Sequence, residues 1–248
     1  MTGGGMIGMN GRQSEKSEPV LTRESTFRFA CREDLPCFTG CCRDVNIYLT
    51  PYDILRLRRS LKIGSSRFLS EYTRHFLAKG SNVPVVQLEM ERESLRCKFV
   101  TDDGCRVYDD RPWACRMFPL DLASVEGEYG MIAEKERCIG LCERAGRTVA
   151  EWLESQGIEP YVEMERAFGA VVPPGSQPGA SMAGGLGKLL FLAYDLDRFA
   201  ELLDDSRFCA FHGVDDATLQ KARENDEEML KLAFCYIRSQ ISELQGMF

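Results

Sequence analysis

Cysteine is the residue type of this chain whose number and spacing point most directly to chemistry. Nine of the 11 cysteines fall within residues 31–142, and two of them are adjacent. The nine are Cys31, Cys37, Cys41, Cys42, Cys97, Cys105, Cys115, Cys138 and Cys142. A thiolate is a soft, charged ligand, and four thiolates form a stable shell around zinc or an iron–sulfur cluster. Close pairs combined with distant partners are typical of such sites, so all nine are candidate metal ligands.

Histidine is scarce, which narrows the kind of metal site. The chain has only His75 and His212, and neither neighbours a cysteine pair. A zinc finger with two cysteine and two histidine ligands is therefore excluded. An all-thiolate shell leaves Zn²⁺ or an iron–sulfur cluster, the 4Fe-4S type included. Nine ligands could serve two four-thiolate sites with one to spare, or one site plus several reactive or structural thiols.

The adjacent pair Cys41-Cys42 bears on the choice between these cofactors. Side chains of neighbouring residues diverge, so both sulfurs reach one compact ion only if the backbone is contorted. Gly40, directly before the pair, could permit such a turn. A cluster of several metal atoms, or two neighbouring sites, accommodates the pair more easily, which favours an iron–sulfur cluster.

Composition and charge limit the compartment and the partners. The N-terminus has no charged start followed by an apolar run, and no apolar run approaches the ~20 residues of a membrane span. We therefore expect a cytoplasmic protein, in which thiols stay reduced and structural disulfides are rare. A net charge of -7 argues against non-specific binding of nucleic acid, which needs a basic face. The sequence leaves open whether the protein has a protein partner, and it indicates no particular one.

The sequence predicts four regions and an α+β fold. Residues 1–25 are expected to be a disordered tail, since Gly, Ser and charged residues dominate them. Residues 26–170 are expected to form a small cysteine-rich domain that binds a metal or cluster. Residues 171–187 are rich in Pro and Gly and are expected to be a linker. Residues 188–248 are expected to form a C-terminal helical extension.

Local patterns predict the elements that must position the cysteines. Thr50 with Pro51 and Asp53 marks a helix start, and Gly64 is the expected stop. A second helix is predicted over 66–78, followed by a strand over 83–90 paired with 94–100. A further hairpin over 124–133 is expected to turn near Gly127.

Three more helices are predicted towards the C-terminus. Thr148 and Glu151 form a capping box for a short helix that ends at Gly157. Apolar residues recur at helical spacing over 189–203 and 218–244. Cys209 and Cys235 fall in this part of the chain, and each is expected to be a buried small hydrophobe rather than a ligand.

The order of motifs resembles a known family. Cys41-Cys42-Arg43 is followed by the helix start Leu49-Thr50-Pro51-Tyr52-Asp53-Ile54, by Gly104-Cys105-Arg106-Val107-Tyr108, and by Arg111-Pro112-Trp113-Ala114-Cys115-Arg116-Met117-Phe118-Pro119. This is similar to the bacterial cysteine-cluster proteins described as zinc- or iron-chelating, the YkgJ-like family. The resemblance covers roughly residues 27–142 and implies metal or cluster binding, with Cys41, Cys42 and Cys115 as the best-matched positions.

The resemblance also implies one alternative function, and the thiols suggest another. Some relatives in this family are flagellin lysine N-methylases, which makes an S-adenosylmethionine-dependent protein lysine N-methyltransferase the first alternative. The chain has no G-x-G-x-x-G after a strand and no C-x3-C-x2-C radical loop. A thiol-redox or metal-trafficking protein is the second alternative, and it would need exposed cysteines of low pKa. Whether the protein is an enzyme stays open.

Two arginines flank the most specific motif cysteine. A four-thiolate cluster is anionic, so nearby positive charge and hydrogen bonds to sulfur stabilise it. Arg111 and Arg116, on either side of Cys115, are therefore candidate cofactor-binding residues, and surface ion pairing with the neighbouring aspartates is the alternative. Tyr108 is expected to be a core residue or a hydrogen-bond donor near the metal.

Overall fold

The computed structural model describes residues 20–79, 81, 83–172 and 183–246. It has the α+β fold that the sequence predicts, and it divides into two compact units. One comprises Met1–Ile47 with Glu89–Pro160, and the other Tyr48–Leu88 with Tyr161–Phe248. We call the first the cysteine unit, because all nine clustered cysteines fall in it, and the second the helical unit.

The described strands are short and antiparallel. They are β1 (Thr26–Arg28), β2 (Tyr48–Leu49), β3 (Thr73–Leu77), β4 (Pro84–Leu88), β5 (Val100–Thr101), β6 (Gly104–Cys105), β7 (Leu120–Leu122), β8 (Tyr129–Met131) and β9 (Gly146–Thr148). They form the ribbons β1-β9, β5-β6 and β7-β8 and the three-stranded sheet β2-β4-β3.

The described α-helices lie mostly in the C-terminal half. They are α1 (Pro51–Leu61), α2 (Ser65–Tyr72), α3 (Trp113–Met117), α4 (Val149–Ser155), α5 (Glu159–Gly169), α6 (Ala183–Phe191), α7 (Leu196–Leu203), α8 (Ser206–Phe211), α9 (Asp216–Glu224) and α10 (Asp226–Gly246). Three 3-10 helices, Gly40–Cys42, Tyr108–Asp110 and Ile139–Cys142, belong to the cysteine unit.

An aromatic cluster supports the cysteine unit. Strand β1 pairs with β9, and this ribbon leads directly into α4. Phe27 and Phe29 pack edge-on against Trp152 of α4, with ring centroids 6.2 and 5.3 Å away. Helix α4 begins with the predicted capping box, in which Thr148 and Glu151 each satisfy the backbone N–H of the other.

The hairpin β7-β8 has the turn that the sequence predicts, but its first strand lies before the predicted range of 124–133. Its chain reverses near Gly127, whose φ of +82° is the left-handed conformation that glycine adopts without strain. Leu21 exchanges two backbone hydrogen bonds of 2.8 Å with Tyr129 of β8. Residues 1–19 of the predicted tail, and 173–182 of the predicted linker, lie outside the described residues, so the four predicted regions stay a prediction.

The helical unit starts with the capped helix that the sequence predicts. Thr50 accepts from the backbone N–H of Asp53, and the Asp53 carboxylate accepts from that of Thr50. The helix ends at Leu61, with Lys62 in the left-handed conformation, and not at Gly64 as predicted. Gly64 instead precedes α2 as its N-cap.

The predicted helix over 66–78 is wrong in its second half. Helix α2 ends at Tyr72, and the next five residues form β3 because they pair with β4. The predicted strand over 83–90 is confirmed as β4, but its neighbours are β2 and β3. Residues 94–100 are therefore not its hairpin partner, although Met90 and Cys97 form an isolated bridge.

The two long helical patterns near the C-terminus are each interrupted. The 189–203 pattern is divided between α6 and α7, where the Asp195 side chain caps the second helix. The 218–244 pattern is divided at Asn225 between α9 and α10. Cys209 is buried, as predicted, and its Sγ contacts the Leu203 carbonyl oxygen at 3.3 Å. Cys235 is exposed, so its predicted burial is wrong.

Within the part of the chain that the structure describes, no helix is both long enough and apolar enough to cross a membrane.

Candidate metal centre

All nine cysteines predicted as ligands lie in the cysteine unit. They are free thiols, and their residues are exposed or half-buried. They come from separate stretches of the chain, of which the first carries four cysteines between β1 and β2. The others lie around the β5-β6 ribbon, in α3, and in the segment that ends with the 3-10 helix Ile139–Cys142.

The adjacent cysteines lie in a tight turn, but Gly40 does not create it. Thr39 has the left-handed conformation, with φ 60°, and Cys41 and Cys42 follow in a 3-10 helix. The backbone N–H of Gly40 donates to the Cys37 carbonyl at 2.9 Å, which fixes the loop between these cysteines. The expected role of Gly40 is therefore taken by Thr39.

The two adjacent thiols contact each other. The Cys42 thiol donates a hydrogen bond to the Cys41 sulfur, which lowers the pKa of Cys41 to about 7. The pKa of Cys42 is raised, because its proton is held by Cys41, because it is buried and because other thiolates repel it. The two side chains therefore do not diverge beyond hydrogen-bonding distance of each other.

Four thiols form a first set, which we call the Cys31 set: Cys31, Cys37, Cys41 and Cys138. Burial, followed by repulsion from the other three thiolates, raises the pKa of Cys31 to about 11. Burial also raises the pKa of Cys138, with further repulsion from Cys37 and Cys41. These four side chains are therefore near enough to one another to interact as charges.

Backbone contacts hold the Cys31 set together. The N–H of Ala30, directly before Cys31, donates to the carbonyl of Gly140 at 3.1 Å. A Cβ on Gly140 would collide with the Ala30 carbonyl oxygen, so only glycine permits this approach. The segment that carries Cys138 therefore lies tightly against the residues that precede Cys31.

The remaining interacting thiols form a second set, which we call the Cys97 set: Cys42, Cys97, Cys105 and Cys115. The N–H of Cys97 donates to the Cys42 carbonyl at 2.8 Å, which joins two distant stretches of chain. The thiolates of Cys115 and Cys97 repel that of Cys42. Burial raises the pKa of both Cys97 and Cys105, and the Cys105 thiolate also repels Cys97.

Cys142 belongs to neither set. It is exposed at the end of a 3-10 helix. Charge interactions thus connect eight of the nine predicted ligands, and the hydrogen bond between Cys41 and Cys42 joins the two sets.

Arg111 and Arg116 differ in what their guanidinium groups contact. Arg116 is buried and donates to the backbone carbonyls of Asp109, Arg111 and Gln156. It therefore holds the backbone around α3. Arg111 donates to the Tyr108 carbonyl at 2.6 Å and to the side chain of Gln156.

Arg111 also faces the thiols. Burial lowers its pKa, while the thiolates of Cys115 and Cys105 act in the opposite direction. Its guanidinium stacks on the Tyr108 ring, 3.9 Å from the centroid. Tyr108 itself is 59% exposed, so its expected place in the core is wrong.

Two residues that contact the thiols or the motif arginines were not found from the sequence. Arg106 stabilises the thiolates of both Cys97 and Cys105, and it is held over the Phe99 ring at 5.4 Å. Its position directly after Cys105 in the motif was the available signal. Gln156 contacts both motif arginines, and nothing in its sequence neighbourhood indicates that role.

The donor chemistry of the two sets fits a soft cation. No three His, Cys, Asp or Glu side chains of the described residues already stand as ligands around one point. The thiols nevertheless lie where their ionised forms repel one another, and a cation between them would replace that repulsion with attraction. Cysteine donors without histidine are the ligands of a four-thiolate zinc site or an iron–sulfur cluster.

The segment that carries the clustered thiols is similar to a family of cysteine-rich domains. Residues 30–144 match the family CxxCxxCC, described as "Putative zinc- or iron-chelating domain". The matched segment contains all nine cysteines and is somewhat under half of the chain. The predicted similarity to a cysteine-cluster family is therefore confirmed for this segment, and the YkgJ-like label is compatible with it. No curated protein and no solved structure matches the chain.

Proposed function

We propose that the cysteine unit binds an iron–sulfur cluster or Zn²⁺ through its cysteine thiolates. The observation that carries this function is the convergence of eight thiols, from separate stretches of chain, in one small unit. Isolated thiols serve as core residues, but several thiols whose ionised forms would repel one another are not needed in an apolar core. A bound metal ion would attract these thiolates, so that their clustering would stabilise the unit.

The surrounding residues support an anionic metal centre. The negative charge of four thiolates exceeds the positive charge of Zn²⁺ or of the core of an iron–sulfur cluster. The loaded site is therefore negative overall. Arg106 and Arg111 lie beside the thiols of Cys105, and each stabilises the thiolate form. Arginine is suited to this task because it stays charged.

Thiolate coordination also requires a setting in which the cysteines stay reduced. We propose a cytoplasmic location, where thiols persist without forming structural disulfides.

Anaerobic purification of the full chain, followed by elemental analysis and a visible spectrum, tests the function. A brown protein that absorbs near ~400 nm and contains iron and sulfide indicates a cluster. A colourless protein that contains zinc indicates a zinc site. Folded protein that holds neither metal, even after reconstitution with Zn²⁺ or with Fe²⁺ and sulfide, would contradict the function.

The helical unit offers a matched control. Cys209 and Cys235 lie outside the cysteine unit, and changing both to Ser is expected to leave the metal content unchanged. Changing Cys41 and Cys42 to Ser is expected to remove most of the metal. Equal metal loss in both variants would show that thiol content alone, and not the cysteine unit, governs the measurement.

A further inference from the structure

Strand β3 lies at the edge of the three-stranded sheet in the helical unit. The strand order is β2-β4-β3, so among the described strands β3 has a neighbour on one side only. Four of its five side chains are exposed, and the apolar residues Phe76 and Leu77 are 49% and 45% exposed. The neighbouring strand β4 is mostly buried. Strand β3 therefore presents apolar side chains and one backbone edge on the surface.

The register of β3 shows which backbone groups face that edge. The Ala78 N–H donates to the Val83 carbonyl at 2.9 Å, directly beyond the last pair of the β3-β4 ladder. Hydrogen-bonded and non-hydrogen-bonded pairs alternate along an antiparallel ladder. Counted back from this pair, the hydrogen bonds to β4 fall on the even-numbered residues of β3. The N–H and C=O of His75 and Leu77 therefore point away from β4, where an extended strand would satisfy them.

Strand β3 lacks the usual protection of an exposed edge. Natural sheets protect their edge strands with Pro, Lys or a bulge. The sequence of β3 contains neither Pro nor Lys, and its pairing with β4 has an unbroken register. Its one arginine, Arg74, donates from Nε to the Gln87 side chain of β4 at 2.9 Å. This guanidinium is held on its own sheet, so it does not block a further strand.

We infer that β3 pairs edge to edge with β3 of a second copy of this chain. The three-stranded sheets of the two copies then form one continuous antiparallel sheet across a twofold axis. The edge is its own complement, because the outward backbone groups of Thr73, His75 and Leu77 are spaced symmetrically about His75. A second β3 that runs antiparallel and is centred there brings each outward group opposite another.

The side chains agree with this register. With the axis at His75, Arg74 lies opposite Phe76 of the second copy, where a guanidinium and an aromatic ring attract each other. On the other face, Leu77 lies opposite Thr73 of the second copy. An axis at Arg74 would instead set two arginines directly opposite each other, which destabilises a strand pair. Since the contact is small, a weak and reversible dimer is expected.

Sedimentation of the reduced full-length chain over a range of concentrations tests the pairing, at about pH 8 where histidine is neutral. The mass is expected to rise from monomer to dimer and no further. His75→Pro removes an outward N–H without removing a bond to β4, and it is expected to weaken the dimer about tenfold or more. His75→Ala loses the same side chain but keeps the N–H, so this matched control is expected to dimerise. A monomer at every concentration would overturn the inference, and so would equal losses in the two variants.

Hydrogen exchange at residue resolution gives a second readout that needs no variant. Raising the concentration of the wild type is expected to protect the amides of His75 and Leu77, whereas that of Phe76 is already bonded within its own sheet. Leu77→Lys keeps every backbone bond to β4 and places a charge at the edge, so it is expected to stay monomeric even if His75→Pro does not fold. Phe211→Ala removes an aromatic ring that is 81% exposed outside β3, and it is expected to dimerise like the wild type. Dimerisation of Leu77→Lys at wild-type strength, or protection that spares β3, would overturn the inference.

Discussion

The cysteine unit and the helical unit are stabilised by different means. Among the described residues, thirteen buried apolar side chains belong to the cysteine unit and 27 to the helical unit. The described parts of the two units are of similar length, so the cysteine unit has about half the apolar core. Since a fully buried apolar side chain contributes about 1.5–3 kcal/mol, the difference is large compared with the stability of a domain.

The helices and strands of the cysteine unit are also shorter than those of the helical unit. In the helical unit, α10 alone is 21 residues long and buries Leu230 and Ile237 completely. The cysteine unit is built from strands of two or three residues, 3-10 turns, α3 of five residues and α4 of seven. Such short elements satisfy few backbone groups of their own, so they depend on neighbouring segments. A metal that ties several segments together would supply this support.

Metal removal should produce the largest difference in stability between the two units. A structural metal contributes about 10–16 kcal/mol to folding in small metal-binding domains. We expect a strong chelator to abolish amide protection in residues 26–47 and 89–158, while α7 and α10 stay protected. Hydrogen exchange followed by mass spectrometry measures both regions in one sample. Unchanged protection of the cysteine unit in metal-free protein would show that its small apolar core is sufficient.

A core substitution in the helical unit should destabilise that unit whether or not metal is bound. Phe199 is 1% exposed, and its truncation in Phe199→Ala should cost about 3–5 kcal/mol through lost contacts and a cavity. The loss should be the same with and without metal, as followed by urea unfolding and circular dichroism. Phe211, which is 81% exposed in the same unit, provides the control, and Phe211→Ala should change stability by less than about 0.5 kcal/mol. A metal-dependent effect of Phe199→Ala would contradict the contrast between the units.

Sequence reasoning predicted the parts of both units that local chemistry determines. Thr50 with Asp53 and Thr148 with Glu151 cap their helices as expected, because a capping box needs only four consecutive residues. Strand β3 was missed because its five residues continue the helical pattern of α2. They become a strand only through pairing with β4, which is a tertiary effect that a local pattern does not contain.

In the candidate site too, the sequence predicts what local composition determines and misses what depends on tertiary contacts. The kind of ligand and the exclusion of histidine follow from composition alone. The grouping of the thiols depends on contacts such as Cys97 N–H with the Cys42 carbonyl, which join residues 55 positions apart. Arg106 was not predicted, because the sequence analysis considered only the arginines on either side of Cys115, Arg111 and Arg116. Its position after Cys105 was visible in the sequence, but its effect on the distant Cys97 was not.

A buried carboxyl group gives the helical unit a pH dependence of its own. Glu165 in α5 has an Oε2 atom that is buried without a hydrogen-bond partner among the described residues. Burial and repulsion from Asp53 raise its pKa from 4.5 to about 7. The unfolded chain ionises at lower pH than the folded chain, so this group lowers stability progressively between pH 4.5 and about 7.

Glu165→Gln should remove that dependence. Relative to the wild type, the variant should gain up to roughly 3 kcal/mol above pH 7, and the gain should vanish below pH 4.5. Urea unfolding of both proteins at pH 4.5, 6 and 8, followed by the helical signal of the full chain, gives the difference. Glu163→Gln, a change of an exposed residue in the same helix, is the matched control and should show no such trend. A gain that does not vary with pH would point to packing rather than ionisation of Glu165.

Charge near the thiols should have the smallest effect of those considered, and it belongs to the cysteine unit alone. Arg111 faces the thiolates of Cys105 and Cys115, so Arg111→Gln should weaken metal binding by the Cys97 set. Substitution of residues that support metal ligands typically costs 10–100-fold in affinity, and we expect the lower end, about tenfold or 1.4 kcal/mol. Competition with a chromophoric chelator measures the change. Arg147→Gln is the control, because Arg147 stacks on Trp152 in the same unit. Equal losses in both variants would mean that Arg111 acts through general stability of the unit and not through its charge beside the metal.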